Sequence, residues 1–334
     1  MLGGVARRSG KRSLETALAA LRAHGADPGA PAARAAIRDA LGSPIGLVVA
    51  AAARLVAEAE LVELVPLFAP VWARFLADPA RSDPGCQAKG AVVEALCRLE
   101  RDPDDVLLRA VRYRQPEPAW GPPVDTAAGM RGHAALGLAR AQHPAAPIEL
   151  AHLLADREWV ARAGAARALG CVVPATSAPL LRFKVLVGDE EPRVLGECFA
   201  SLLAVDAAGS VGFVGDRLDG LDDAVAEQAA VALGESRLPA AFDRLRAWCE
   251  GLGGGQQARV ALLAIALLRS DAGREYLLER VGAADRQTAA LALDALAIHR
   301  HDPRVRDRVN AALAARKDRD RAPLPEAAAR FRDG

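Results

Sequence analysis

One short signature returns along this chain at near-regular intervals, and no other feature limits its fold so strongly. It reads EALC at 94–97, AALG at 134–137, RALG at 167–170, SLLA at 201–204, VALG at 231–234, AIAL at 264–267 and DALA at 294–297. Between the anchor leucines Leu96, Leu136, Leu169, Leu203, Leu233, Leu267 and Leu296 the steps are 40, 33, 34, 30, 34 and 29 residues. Two helices of about 12–16 residues and two short turns fill such a step. A unit of that size cannot bury its own apolar face, so the units must stack on one another.

The residues between anchors support helices. Leu238, Phe242, Leu245, Trp248 or Cys249, and Leu252 recur at one-face helical spacing, as do Val211, Val214 and Leu218, and Val305, Val309 and Leu313. The anchor-bearing helices are apolar on two faces, with Leu291, Ala295 and Ile298 on one and Leu293, Leu296 and Ala297 on the other, as an inner helix packed on both sides requires. Apolar residues make up 51% of the chain and aromatics only 4%, an excess of Ala and Leu that favours helix over strand. The expected fold is an all-α solenoid, a right-handed superhelix of antiparallel helix pairs. Outer and inner helices are placed at 30–42/44–64, 66–77/84–100, 103–114/125–141, 147–155/157–171, 177–188/192–205, 209–219/222–235, 238–251/255–270 and 273–282/285–300, with a closing helix at 303–316. Residues 1–29 read as an N-terminal arm with a short helix, 30–316 as one elongated solenoid of about eight pairs, and 317–334 as a flexible tail. Pro66, Pro147, Pro192 and Pro239 suit first-turn positions, where a missing N–H costs nothing.

At 156–170 the run DREWVARAGAARALG combines Asp156 at a turn, Ala161-Arg162, small residues Ala165-Ala166, and Ala168-Leu169-Gly170. It resembles the inner helix of HEAT repeats of the type found in phycobilin lyase subunits. The match is looser elsewhere, with Lys89, Gly129, Gly196, Ala226 and Ala289 read at the Arg162 position. The resemblance implies a superhelix with an extended concave surface and a protein-binding role. It implies no enzyme, because fold-level likeness does not carry chemistry.

Several function classes fall away. The longest apolar stretch, Ile45 to Val56, contains Arg54 and is too short for a membrane span of about 20 residues. Arg7, Arg8, Lys11 and Arg12 precede an amphipathic segment that includes Glu15, which is no signal-peptide core. Five cysteines without a CxxC pair fit buried thiols in a reducing cytoplasm, and four lysines against 43 basic residues point to a bacterial, GC-rich source. A HEAT-like di-iron hydroxylase of the deoxyhypusine type needs His-Glu dipeptides, and none of the six histidines precedes Glu. His299, His301 and Asp302 converge on one ion only if the helix has already ended there, so they read as a helix C-terminus. Gly251 to Gly255 lacks the Lys-Ser/Thr of a phosphate loop and reads as a turn. The HEAT-like DNA glycosylases grip DNA with a basic groove; here the net charge is +1, and the inner helices 192–205 and 222–235 carry only Arg193 as a base. That reading and a lyase-type cofactor-attachment accessory stay as alternatives, with no cofactor, metal or catalytic residue expected.

Charge layout is more informative. Asp83, Asp125, Asp156, Asp189, Asp222 and Asp285 stand at the turns leading into inner helices, while Arg101, Arg140, Arg237, Arg269 and Arg300 stand near the far ends, as capping and the helix dipole favour. One acid per turn does not explain Leu186 to Glu235, which carries a net charge of −9. The long step between Leu96 and Leu136 holds RQPEPAWGPP at 114–123, whose four prolines exclude helix. Its Trp120 either folds back as a cap on adjacent repeats or meets a partner. The leading expectation is a non-catalytic cytoplasmic adaptor that binds another protein, one with a basic surface, along its concave face and an acidic rim. The candidate contact residues are Asp189, Glu190, Glu191, Asp216, Asp219, Asp222, Asp223 and Trp120; nucleic acid and membrane are disfavoured.

Overall fold

The computed structural model describes residues 14–23, 27–316 and 331; the expectations for the N-terminal arm at 1–13 and 24–26 and for the tail at 317–330 and 332–334 lie outside them. After a helix over 14–23 (α1), the helices are α2 (Pro31–Leu41), α3 (Gly46–Glu58), α4 (Phe68–Arg74), α5 (Pro79–Ser82), α6 (Gln87–Leu99), α7 (Val106–Ala110), α8 (Ala128–Arg140), α9 (Ala146–Leu153) and α10 (Trp159–Leu169). They continue as α11 (Pro174–Val187), α12 (Pro192–Val205), α13 (Ala207–Gly215), α14 (Asp223–Ser236), α15 (Ala241–Gly251), α16 (Gly255–Leu267), α17 (Asp271–Ala283), α18 (Arg286–Leu296) and α19 (Pro303–Ala315). The class is all-α, and helices pack in chain order. The chain divides into two compact units, Met1–Val172 and Val173–Gly334.

In the first unit the outer helices α2, α4, α7 and α9 pack on the inner helices α3, α6, α8 and α10, and the inner helices stack in that order. In the second, α11, α13, α15 and α17 pack on α12, α14, α16 and α18, again stacked in order, and α19 closes on α17. Outer and inner helices thus alternate along both units. Pro147 and Pro192 stand in first turns as expected, whereas Pro66 lies inside a 3-10 helix, Val62–Leu67, and Pro239 in the turn before α15.

The core is built mainly from Ala, Leu and Val of the inner helices. Leu96, Leu169, Leu233 and Leu296 are fully buried, but Leu136 and Leu267 are only half-buried, and Leu138 and Leu268 take the core positions beside them. The insertion before α8 shifts the register by two residues: Leu96, Leu138, Leu169 and Leu202 each follow the turn Asp by the same thirteen residues. Glycine of the signature is a packing residue here. A Cβ on Gly234 would lie 2.4 Å from the Ala264 carbonyl oxygen, and one on Gly164 would lie 2.5 Å from the Gly132 Cα, so α8 and α10 meet backbone to backbone. Where inner helices end, left-handed residues with side chains stand instead: Glu60, Glu100, Gln142, Arg237 and Arg269, with φ between 51° and 54°.

Gly164→Ala is expected to push α8 and α10 apart at a cost of about 1–3 kcal/mol, as for other overpacked contacts. Gly90→Ala, in α6 with open space where its Cβ would stand, is expected to stabilise by about 0.5–1 kcal/mol through helix propensity. Chemical denaturation of both variants checks the pair; two changes of the same sign would contradict the close inner-helix contact.

Candidate interaction site

Each inner helix of the first unit after α3 starts from a carboxylate that is also an ion-pair partner. Asp83 accepts the N–H groups of Ala88 and Lys89 at 2.7 and 3.1 Å and pairs with Lys89 Nζ at 2.8 Å, both side chains being fully buried. Asp125 accepts from the Gln115 and Ala127 N–H groups, each about 3 Å away, and from Arg131 Nη1 at 2.7 Å. Arg131 also reaches Asp156 at 3.0 Å and the Tyr113 carbonyl, while Arg162 donates to the carbonyls of Asp156 and Arg157. A basic residue follows each acid by six positions, Lys89 after Asp83, Arg131 after Asp125 and Arg162 after Asp156; the last reaches the Asp156 carbonyl, while the Asp156 carboxylate pairs with Arg131 and Arg114. The counterpart of Arg162 in α8 is therefore Arg131 and not Gly129, a correction that follows from the same two-residue register shift. In the second unit this position holds Leu195, Gln228 and Leu291, and Asp222 and Asp285 only cap, through N–H groups of Ala224 and Val225 and of Gln287 and Thr288.

The insertion, whose prolines exclude helix, grows out of this buried ion network as a hairpin of two short antiparallel strands, β1 (Pro116–Ala119) and β2 (Gly121–Asp125). Prolines block helix, yet they are tolerated in a two-stranded ribbon whose outer edges face solvent. The root is tied down at many points. The Gln115 side chain, 1% exposed, donates to the Asp83 carbonyl and to Glu117 Oε1, and Glu117 Oε1 also accepts from the Gly85 N–H and the Thr126 hydroxyl. Burial opposes ionisation of Glu117, but these three donors outweigh it and hold its pKa below the usual carboxylate range. Asp125 behaves alike: burial is outweighed by the Gln115 N–H and by Arg131. Arg114 closes the root from outside by pairing with Asp156 at 2.9 Å.

At the tip the chain reverses through Trp120 and Gly121, whose φ of 116° is open to glycine alone. Trp120 does not fold back as a cap. It is fully exposed, at 108% of its reference area, beside the half-exposed Val124 and four exposed prolines. The other tryptophans are core or half-buried: Trp72 at 2% and Trp248 at 8% are core, and Trp159 is half-buried.

The remaining candidate residues fall in the second unit. Asp189 is buried, pairs with Lys184 at 2.8 Å and accepts the Glu191 N–H, so it serves the fold. Glu191 pairs with Arg193, Asp216 with Arg244 at 2.9 Å, and Asp223 accepts from Gln257. Glu190, Asp216, Asp219, Asp222 and Asp223 are exposed. Asp216 and Asp222 border a cleft of about 170 Å³ lined by Val185, Leu195, Arg217, Gly220, Leu221 and Val225. The structure thus gathers part of the acidic set around one concavity, while Trp120 belongs to the other unit.

His299, half-buried, places Nε2 3.0 Å from the Ala266 carbonyl oxygen at the end of its 3-10 turn, and burial lowers its pKa. Among the described residues no group of three or more His, Cys, Asp or Glu could hold a metal, and no helix is long and apolar enough to cross a membrane. Cys86, Cys97 and Cys198 are buried and Cys171 is exposed; burial pushes the Cys86 and Cys198 thiols up to about 12.

No protein-family model and no curated protein matches the chain. Among solved structures, it is similar to the complex of CpcE and CpcF of phycocyanin lyase from Nostoc sp. PCC7120, at 17% identity and a TM-score of 0.40, over 72% of this chain and 92% of that one. It is also similar to an engineered protein, at 17% identity and a TM-score of 0.38, over 91% and 85%. Likeness of this degree identifies no family.

Glu117 and Asp125 have folded pKa values below their unfolded ones, so their stabilising effect is complete above the unfolded values and is lost as pH falls through the folded ones, below about 4. Thermal stability should therefore fall steeply in that range. Glu117→Gln should lower the melting temperature at neutral pH and flatten the acid dependence; an unchanged acid slope would show that the hairpin root is uncoupled from folding.

Proposed function

We propose that this protein is a non-catalytic adaptor that binds another protein through the hairpin at 116–125, with Trp120 as the anchor, inside a bacterial cytoplasm. The carrying observation is the contrast between the two ends of that hairpin. Its root is fixed by buried carboxylates, Gln115 and Arg131, while its tip offers a whole tryptophan to solvent. A large aromatic held on a rigid support loses little conformational entropy on binding, which is why such residues dominate interface energetics. The surrounding prolines carry no charge and add apolar surface of low entropy. The net charge of −9 over Leu186 to Glu235 supports a protein rather than a nucleic-acid partner. The HEAT-like repeats supply the scaffold; the chemistry of recognition lies in what is mounted on them.

The test is affinity capture on immobilised full chain from the native host, followed by association measurements with each captured polypeptide. Trp120→Ala is expected to weaken binding by about 2 kcal/mol or more, the size of a hot-spot truncation, with the melting temperature unchanged because the side chain touches nothing in the fold. Trp120→Phe should keep part of the affinity. A partner that binds wild type and Trp120→Ala equally would overturn the hairpin as the anchor.

A further inference from the structure

Helix α11 departs from the pattern of the other outer helices. Ser177, Leu181 and Val185 form its buried stripe, yet Phe183, Leu186 and Val187 project from the opposite side, each 66% exposed. At 100° per residue these three share an arc of about 100°. A helix that is apolar all round is ordinarily covered all round. Scattered exposed apolar residues need no explanation, but three large ones on one face do.

The surroundings say what kind of cover fits. The two cations beside this face are bound back to their own unit: Arg182 to the Gly209 carbonyl, Asp206 and the Phe213 ring, and Lys184 to Asp189. Past the carbonyl end of α11 come Asp189, Glu190 and Glu191, and the helix dipole adds to their negative field. The same last turns of α11 lend Val185 to the cleft of about 170 Å³, whose walls are Val185, Leu195 and Val225, whose lip is the fully exposed Leu221, and whose edge carries Asp216 and Asp222 as well as Arg217. Ligand and cofactor sites run to about 300–1,000 Å³, so this cleft suits a single side chain.

We propose that this edge of the second unit docks a basic amphipathic helix of a partner protein. Its apolar stripe covers Phe183, Leu186 and Val187, and its lysines or arginines face Glu190 and share Asp216 and Asp219 with Arg244. One long basic side chain enters the cleft, laying its methylene stem on Val185, Leu195 and Val225 and bringing its charge to Asp216 and Asp222. A second copy of this chain is the poorer occupant, because two segments of net charge −9 would then face each other. The proposal rests on the adaptor reading but uses a surface separate from the Trp120 hairpin.

The probe is a fluorescein-labelled amphipathic peptide with leucines at i, i+3, i+4 and i+7 and lysines on its flanks, and a companion with glutamate in place of every lysine. Both are titrated against the full chain by fluorescence anisotropy at low and at physiological salt. The lysine peptide is expected to bind, to weaken with salt, and to exceed the glutamate peptide by about tenfold or more. Phe183→Ser with Leu186→Asp should lower that affinity about tenfold without lowering the melting temperature, and Asp216→Asn with Asp219→Asn should flatten the salt dependence. Trp120→Ala should leave peptide binding unchanged, which separates this result from the hairpin test. Equal binding of the two peptides, or binding indifferent to both double variants, overturns the proposal. So does a wild-type dimer in light scattering that Leu186→Asp dissociates, since the face would then belong to a second copy.

Discussion

The carboxylates at the starts of α6, α8 and α10 are the contacts on which the rest of the first unit leans. Asp83, Asp125 and Asp156 satisfy N–H groups that a helix start leaves open; Lys89 pairs with Asp83, Arg131 pairs with both Asp125 and Asp156, and Arg162 folds back to the Asp156 carbonyl. Without the cation a buried carboxylate would be costly, and without the acid so would the cation; removing one partner of such a pair costs about 3–5 kcal/mol. The arrangement also fixes where neighbouring segments lie. Arg131 holds Asp125, Asp156 and the Tyr113 carbonyl together, so the position of α8, the turn before α10 and the strand root are set by one guanidinium.

Most of the helix order could be read from the sequence, because it rests on local signals. The turn aspartates, the apolar stripes and the repeat step are all local patterns, and they suffice for an all-helical chain whose helices pack in sequence order. Two of the errors share one physical origin. The hairpin lengthens the third repeat, so counting from Leu96 lands on Leu136 and Gly129, while the buried positions are Leu138 and Arg131. Spacing from Asp125 recovers both, but the role of that aspartate shows only once its donors from Gln115 and Ala127 are seen.

The surfaces were less legible. Four prolines in RQPEPAWGPP rule out helix but do not distinguish a loop from a ribbon, and Trp120 folded back would have satisfied the same sequence. Glycine at 121 with a positive φ turns the tip outward and leaves the indole in solvent. In the acidic stretch, charge counting could not tell that the Asp189 side chain is buried on Lys184 while Asp219 and Asp223, beside Arg244 and Gln257, stay exposed. Nor does periodicity give a phase to α11, whose Phe183, Leu186 and Val187 read as core as readily as Leu181 and Val185 do. Both surfaces thus depend on tertiary placement, and both are apolar side chains presented from a charged, well-fixed support.

The link between the buried ion network and the exposed hairpin is open to direct measurement by amide hydrogen exchange on wild type and Arg131→Met, a change that keeps bulk and removes the charge. The amides of Gln115, Thr126 and Ala127 bond to or beside Asp125 at the hairpin root. They should exchange at least about tenfold faster in the variant, while those of α14 in the other unit keep their rate. Unchanged protection at Gln115, Thr126 and Ala127 would contradict the view that this network holds Trp120 out for a partner.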